Sequence, residues 1–162
     1  MSLTEQEILG RMFKYCALRE RSPADVRKKI TELAGESSLV APLTARLFKE
    51  GFLNEERFAA AFVQGKMNSR KWGLMKLRAA LMEHGIAEMV IRKTLDGISD
   101  LDYELMMGKE LEKKWRSLKQ DDFYLMQTKL MRFGLQRGYS AEAVKTWLRK
   151  FTAGLKDSNV QD

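Results

Sequence analysis

The chain has 162 residues, 44% of them apolar, and carries 29 basic and 22 acidic side chains for a net charge of +7. A single cysteine excludes an intrachain disulfide, and one cysteine with one histidine is too few for a structural zinc site, which needs four such ligands. The balance of apolar and charged residues, with only two prolines, predicts a folded, helix-rich protein rather than a disordered one.

The first two helices are marked by their start signals. Thr4 is placed to cap a helix over residues 5–19, whose apolar positions recur at helical spacing. Ser22 followed by Pro23 predicts a second helix, because the hydroxyl accepts free backbone amides and proline is tolerated in a first turn. Gly35 is expected to end this helix.

Two more helices are predicted before residue 65. Ser38 opens the first of them, in which Leu39, Leu43 and Leu47 line one side and which ends at Gly51. Asn54 is placed to cap the next helix. We expect residues 65–71 to form a polar, basic junction.

The second half of the chain predicts five further helices. A pair at 73–84 and 86–96 is separated by His84 and Gly85, and Ser99 caps a longer helix that reaches residue 118. Asp121 and Asp122 begin another helix, which Gly138 ends, and Ser140 caps the last one. The apolar positions of the helix that Ser99 opens are Leu101, Leu105, Gly108, Leu111 or Glu112, Trp115 and Leu118. No alternating pattern long enough for a strand occurs, so the fold class predicted is all-α, with nine helices.

A spaced pattern recurs within the chain. Leu77, Leu81, Gly85, Ile91 and Leu95 are matched 53 residues later by Leu130, Gly134, Gly138, Val144 and Leu148. A period near 50 predicts tandem three-helix, helix-turn-helix-like repeats that stack into an elongated, curved array. Gly134 replaces a leucine of the other copy, and a glycine inside a helix leaves a gap, so looser packing is expected there.

The repeats divide the chain into predicted segments. They are a leader helix at 1–20, repeat 1 at 21–66, repeat 2 at 67–119, repeat 3 at 120–154 and a disordered tail at 155–162. The lone cysteine, together with the absence of a signal-peptide pattern and of a long apolar run, predicts a cytoplasmic protein with no membrane association.

The positive charge is concentrated in the later repeats. Residues 66–150 hold 18 basic and 11 acidic side chains, whereas residues 1–65 hold 10 and 9. An asymmetry of this kind favours a polyanionic or acidic partner over an evenly soluble surface. The candidate contact residues for such a partner are Lys66, Arg70, Lys71, Lys76, Arg78, Lys109, Lys113, Arg116, Lys129, Arg132, Lys145 and Arg149.

Residue combinations typical of catalysis are missing from the sequence. Neither a dinucleotide fingerprint nor a phosphate-binding P-loop pattern occurs, and the paired acids stand in first helical turns, where they complement the helix dipole. His84 precedes a helix-ending glycine and is expected to cap a terminal carbonyl. Trp72 and Tyr139 follow predicted turns, where anchoring to the core is favoured over stacking on bases. No catalytic, cofactor or metal site is predicted.

Four segments in order resemble a known family. In chain order they are SPADVRKKI at 22–30, GFLNEERFAAAFV at 51–63, WGLMKLRAALMEHGI at 72–86 and KLMRFGLQRGYSAEAVKTWL at 129–148. Together they resemble the successive units of the RecX regulatory proteins. The resemblance runs from about Tyr15 to Phe151. It implies tandem three-helix repeats without catalytic residues or cofactors. It also implies binding to the RecA recombinase and its filament on single-stranded DNA, with inhibition of filament extension, ATP hydrolysis and strand exchange, and some binding to DNA itself.

The resemblance therefore predicts a monomeric, non-enzymatic regulator in DNA repair, recombination and the SOS response. Two other functions remain open at this point. One is a general helix-turn-helix-type DNA-binding module that acts without RecA, and the other is a helical adaptor for protein interactions with no nucleic-acid role.

Overall fold

A computed structural model of the chain describes residues 2–119 and 122–160. Over these residues the secondary structure consists of nine α-helices and contains no strand, which confirms the all-α prediction. The helices are α1 (Glu5–Leu18), α2 (Pro23–Ala34), α3 (Val40–Lys49), α4 (Glu55–Arg70), α5 (Leu74–Glu83), α6 (Glu88–Asp96), α7 (Asp100–Ser117), α8 (Phe123–Arg137) and α9 (Ala141–Val160).

Side-chain caps fix several helix starts as predicted. Thr4 and Ser22 each form a capping box with the residue three positions on, so two free donors are satisfied reciprocally at α1 and α2. The Asn54 side chain accepts from the amide of Arg57, and Ser99 and Asp122 cap α7 and α8 in the same way. Asp121, predicted to begin α8 with Asp122, lies outside the described residues.

Three helix boundaries differ from the sequence-based prediction. Ser38 does not cap α3, which begins at Val40 without a side-chain cap. The predicted junction at 65–71 is helical as far as Arg70, because one glycine in a helix interior costs only about 1 kcal/mol and no proline interrupts the ladder. The last helix continues through residues 155–160 of the predicted tail, again with no helix-breaking proline.

The chain forms two compact units. Unit 1 contains the residues up to Gly65 together with Arg78–Gly97, and unit 2 contains Lys66–Leu77 and the residues from Ile98 onward. The core of unit 1 is built from α1, α2 and α3 around side chains such as Met12, Ile30 and Leu47. Unit 2 has its own core, formed by Met107, Leu111, Trp115, Leu130, Tyr139, Val144 and Leu148.

The repeat pattern corresponds to equivalent places in the helices. Leu77, Leu81 and Ile91 are fully buried, as are Leu130 and Val144 at the matching positions. Gly85 and Gly138 both have positive φ, 79° and 96°, directly after the helix that each of them ends. A left-handed conformation at this position favours glycine, so the pattern recurs for a backbone reason.

Gly134 does not leave a gap in the third copy. It is buried, and a Cβ atom built on it would lie 2.6 Å from Cγ2 of Val144. The methyl group of Val144 therefore occupies the space that a side chain at position 134 would need. The expected loose packing is wrong, because the neighbouring helix approaches more closely instead.

Candidate functional site

A basic cleft of about 550 Å³ opens on unit 2. It lies where the end of α4, the start of α5 and the end of α8 meet. Its lining carries three cationic side chains and no acid, and consists of Ser69, Arg70, Trp72, Lys76, Phe133, Gln136 and Arg137.

A tight backbone crossing holds the walls of the cleft together. The amide of Gly73 donates to the carbonyl of Arg137 at 2.6 Å, and the amide of Met75 donates to the carbonyl of Gly138 at 3.0 Å. A Cβ atom on Gly73 would overlap the backbone of Gly138. The crossing therefore requires a residue without a side chain at position 73, which explains a glycine directly after Trp72.

Two phenols secure the segment between α4 and α5. The hydroxyl of Tyr139 donates to the carbonyl of Lys71 at 2.6 Å, and Lys71 is held at a φ of 58°. The amide of Leu74 donates to the hydroxyl of Tyr103 at 3.0 Å. Burial raises the pKa of Tyr139 to about 12 and also raises the pKa of Tyr103. Tyr139 thus anchors the turn to the core, as predicted, and two neutral phenols, one buried and one half-buried, fix the cleft.

The cationic side chains of the cleft are held by neighbouring polar and aromatic groups. The Nζ of Lys76 donates to the carbonyl of Gln136 at 3.1 Å and lies 4.7 Å from the ring centroid of Trp72. The Nζ of Lys66 lies 5.0 Å from the same ring. Contacts of ammonium groups with an indole are favourable at these distances. Two lysines and a tryptophan therefore form one cationic and aromatic surface.

Arg137 connects this surface to α7. Its Nη1 donates to Oε2 of Glu110 at 3.1 Å and to the carbonyl of Arg70 at 3.3 Å, and its guanidinium lies 4.7 Å from the ring centroid of Phe133. The carboxylate of Glu110 offsets part of this charge, so the attraction for an anion rests mainly on Arg70 and Lys76. Such groups bind phosphate or carboxylate oxygens, since they are donors without acceptor capacity.

The structure gathers four of the twelve predicted contact residues at this place. Arg70 and Lys76 line the basic cleft, Lys66 contacts its tryptophan, and the backbone of Lys71 forms its turn. Arg78 belongs to unit 1, where it pairs with Glu88 at 2.6 Å.

The other seven predicted residues lie on the helices of unit 2 and do not line the basic cleft. Arg116 pairs with Glu112 at 2.6 Å, so the charge of one of the three candidate cations on α7 is partly neutralised. Lys109 and Lys113 are exposed on the same helix. The positions on the last two helices are Lys129 and Arg132 on α8, and Lys145 and Arg149 on α9.

Four residues of the cleft were not among the sequence-based candidates, namely Ser69, Phe133, Gln136 and Arg137. Arg137 stands directly before Gly138, the repeat glycine, which is the one signal in the sequence that marks its position. Its partners at positions 70 and 110 are distant along the chain, and no periodicity indicates them.

His84 has a different role from the one predicted. Its Nδ1 lies 3.0 Å from the hydroxyl of Ser22 and 3.9 Å from Oδ1 of Asp25, whereas its backbone carbonyl accepts from the amide of Ala24. The imidazole therefore packs onto the start of α2 within unit 1 and does not cap a carbonyl. Among the residues that the structure describes, no group of three or more His, Cys, Asp and Glu side chains is placed to hold a metal ion.

Solved structures show the same fold. The crystal structure of RecX from Lactobacillus salivarius superposes with a TM-score of 0.79 at 18% identity, covering 91% of this chain and 96% of that one. A second crystal structure, of a regulatory protein RecX, gives a TM-score of 0.79 at 19% identity and covers 92% of this chain and 79% of that one.

Curated relatives are similar over most of the chain. The regulatory protein RecX of Leptothrix cholodnii is 28% identical over 86% of this chain and 86% of its own length. That of Chromohalobacter salexigens is also 28% identical, over 90% of this chain and 93% of its own length. The RecX protein of Clostridium perfringens strain SM101 is 28% identical over 82% of this chain. This chain spans only 62% of that relative, and 55% of the RecX protein of Bacillus cytotoxicus.

Two family models match different parts of the chain. The second three-helix domain of RecX matches residues 54–95, and the third matches residues 109–148. The first match takes in α4, α5 and α6, whereas the predicted repeat 2, residues 67–119, takes in α5, α6 and α7. The predicted division of the chain into segments stays a prediction. The two matches together take in just over half of the residues, and the chain therefore belongs to the RecX family of regulatory proteins.

Proposed function

We propose that this protein is a non-enzymatic regulator that binds the RecA recombinase and its filament on single-stranded DNA. Binding inhibits filament extension, ATP hydrolysis and strand exchange. The observation that carries the proposal is the basic cleft, found in a chain whose relatives are named regulatory proteins RecX. The protein acts as a monomer in the cytoplasm, in DNA repair, recombination and the SOS response.

The basic cleft supports a role in contacting phosphates. Arg70 and Lys76 sit on a backbone that is already fixed, so little conformational entropy is lost when an anion binds. Trp72 adds an aromatic surface beside them, the combination that single-stranded nucleic acid favours. An acidic patch on the recombinase would be held by the same charges.

The remaining candidate residues contribute unequally. Arg78 and Arg116 are each bonded to a carboxylate, so contact with a phosphate would compete with an existing ion pair. Exposed cations act mainly through long-range attraction, which salt weakens. This group is Lys109, Lys113, Arg132, Lys145 and Arg149, whereas Lys129 is half-buried.

The experiment is an ATPase assay of RecA on single-stranded DNA. Wild-type protein is expected to inhibit hydrolysis at stoichiometric ratios, and the variant Arg70→Gln/Lys76→Gln is expected to need at least tenfold more protein. The variant Lys14→Gln/Lys49→Gln makes the same charge change on exposed positions of unit 1 and serves as the matched control. No inhibition by wild-type protein at severalfold excess would contradict the proposal.

The basic cleft also supports the second candidate, a DNA-binding module that acts without RecA. That function predicts tight duplex binding in the absence of recombinase, with a steep salt dependence. Neutralising Lys109, Lys113 and Arg116 together is expected to weaken binding both for a RecA regulator and for a DNA-binding module. An adaptor without a nucleic-acid role is expected to give no mobility shift with DNA, even at low salt. A duplex-binding curve without RecA therefore separates the two candidates.

No helix in the part of the chain that the structure describes has the length and apolar character needed to cross a bilayer.

A further inference from the structure

Lys71 has a backbone conformation that is otherwise found only at glycines in the part of the chain that the structure describes. Its φ is 58°, and the other positive values occur at Gly35, Gly51, Gly85 and Gly138. A Cβ atom in this left-handed region crowds the backbone, so glycine is the favoured residue there. A lysine at position 71 therefore makes the fold less stable than a glycine would.

The hydrogen bonds of the turn do not require a lysine. The residue after Gly138 donates its amide back to the carbonyl of Gly134, in the last turn of α8, at 2.9 Å. The turn at Lys71 is similar, because the amide of Trp72 donates back to the carbonyl of Lys66 in α4 at 3.4 Å. These bonds join backbone groups alone, so a glycine at position 71 would form them equally well.

Contacts from outside the turn hold Lys71 in this conformation. Its carbonyl accepts from the hydroxyl of Tyr139 at 2.6 Å, and its amide donates to the carbonyl of Met67 at 3.2 Å. The Tyr139 side chain is fully buried, so the position of its hydroxyl is fixed. Strained residues persist where the surrounding structure over-determines them, and they are concentrated at functional sites. The strain at Lys71 therefore points to a role for its side chain.

Lys71 lies at a junction between two clefts of unit 2. Its neighbours in sequence, Arg70 and Trp72, line the basic cleft. Lys71 itself lines a smaller cleft of about 310 Å³ beside α7, and the other lining residues there are Asp102, Leu105, Met106, Lys109 and Glu110. Consecutive Cα atoms are about 3.8 Å apart, so the cations of Arg70 and Lys71 start from nearly the same point and serve adjacent clefts.

The charges of the smaller cleft leave its cations available for an anion. Within the described residues, Lys71 and Lys109 form no ion pair. Glu110 is already bound to Arg137 at 3.1 Å, and Asp102 lies in the first turn of α7, where the helix dipole compensates its charge. An ammonium group is a hydrogen-bond donor without acceptor capacity, so the ligand that suits this pair of lysines is an oxyanion.

We infer that lysine is present at position 71 for its ammonium group, which binds one phosphate of single-stranded nucleic acid beside the phosphate held in the basic cleft. Phosphates repeat along a strand, so two clefts joined by consecutive residues contact successive groups of the same strand. The backbone strain results from placing a cation where glycine would fold better. This inference rests on the proposed function for its ligand and adds to it a contact residue whose removal stabilises the protein.

Three substitutions at position 71 separate backbone strain from charge. Lys71→Gly removes both, Lys71→Gln keeps the strain but removes the charge, and Lys71→Arg keeps both. The control Lys49→Gln makes the same charge change on an exposed lysine in the last turn of α3, in unit 1. For each protein, urea unfolding is measured, and binding to a fluorescent oligothymidylate without recombinase is followed as a function of salt concentration.

Lys71→Gly is expected to raise the urea midpoint by roughly 0.3–0.5 M, because the relief of strain exceeds the entropy that glycine adds to the unfolded chain. The slope of log affinity against log salt is expected to become less steep by about 0.7, the contribution of one single-strand phosphate, which corresponds to about fivefold weaker binding at 0.1 M salt. Lys71→Gln is expected to show the same loss of binding without the gain in stability. Lys71→Arg and Lys49→Gln are expected to bind like wild type.

Two results at position 71 overturn the inference and leave the proposed function standing. One is a Lys71→Gly protein with the affinity and salt slope of wild type, and the other is a Lys71→Gly protein less stable than wild type, since the lysine then serves the fold. A wild-type protein that inhibits RecA but does not bind oligothymidylate refutes the phosphate contact alone. A wild-type protein that binds oligothymidylate but does not inhibit RecA refutes the proposed function alone.

Discussion

Replacing Gly134 by alanine tests the close packing of unit 2. In an ordinary helix interior this change is stabilising by about 1 kcal/mol, because glycine is the poorer helix former. Here the added Cβ would lie 2.6 Å from Cγ2 of Val144, which is less than any normal carbon–carbon contact. We therefore expect a net loss of stability.

The magnitude follows from what Val144 is able to do. It is buried on α9, and a β-branched side chain in a helix has one strongly preferred rotamer, so its methyl group does not simply rotate away. Overpacking of this kind costs roughly 1–3 kcal/mol. Because that methyl group is held in place, we expect the upper part of the range, about 2–3 kcal/mol. Subtraction of the helix-propensity gain of about 1 kcal/mol leaves a net loss of about 1–2 kcal/mol in the free energy of unfolding.

Urea unfolding followed by tryptophan fluorescence is a suitable assay, since Trp72, Trp115 and Trp147 are the chain's three tryptophans and all lie in unit 2. With an m-value of about 2 kcal/mol/M, the midpoint is expected to fall by roughly 0.5–1 M. The control is Gly154→Ala, where an added Cβ meets nothing within 4 Å, and its midpoint is expected to stay the same or rise.

A double-mutant cycle identifies the cause of the loss. Val144→Ala removes the obstructing methyl group, so it is expected to cost stability in the wild-type background and less when Gly134→Ala is present. A Gly134→Ala protein that is as stable as wild type, or more stable, would show that the helices do not approach as closely as described.

Three further perturbations have defined outcomes. Gly73→Ala is expected to lower the urea midpoint more than Gly134→Ala does, because the added Cβ would overlap the backbone of Gly138 rather than a side chain; equal midpoints would refute this. Tyr139 has a pKa raised to about 12 against an ordinary value of 10.0, so its contribution to the free energy of unfolding is complete below pH 10 and is lost as the pH rises toward 12. Tyr139→Phe is therefore expected to flatten the plot of the free energy of unfolding against pH in this range, and an unchanged slope would contradict the reasoning. Ser22→Ala loses the cap on the amide of Asp25 and the contact with His84. Unfolding followed by circular dichroism at 222 nm is expected to show a loss of about 1–2 kcal/mol in the free energy of unfolding. Ser99→Ala removes an exposed cap only and is expected to lose less, so the reverse order would count against the His84 contact.

The sequence by itself determined the local structure. Caps such as Thr4, Ser22 and Ser99 work through hydrogen bonds to amides three residues away, so their effect is visible in a short stretch of sequence. The repeat glycines Gly85 and Gly138 likewise indicate helix ends from the sequence, because the left-handed backbone conformation found at both positions favours glycine. The ordered motifs also sufficed to indicate the RecX family.

Only the tertiary structure decided which charges and apolar side chains act together. Arg137 meets Arg70 across 67 positions of sequence, and its contacts depend on a backbone crossing that no periodicity reports. Likewise, Leu101 and Leu105 have the spacing of core residues, yet both are exposed to solvent. Leu111 and Trp115, further along the same helix, are the residues that neighbouring segments bury. Helical spacing fixes the face on which a side chain lies, whereas its burial depends on which distant segment packs against that face.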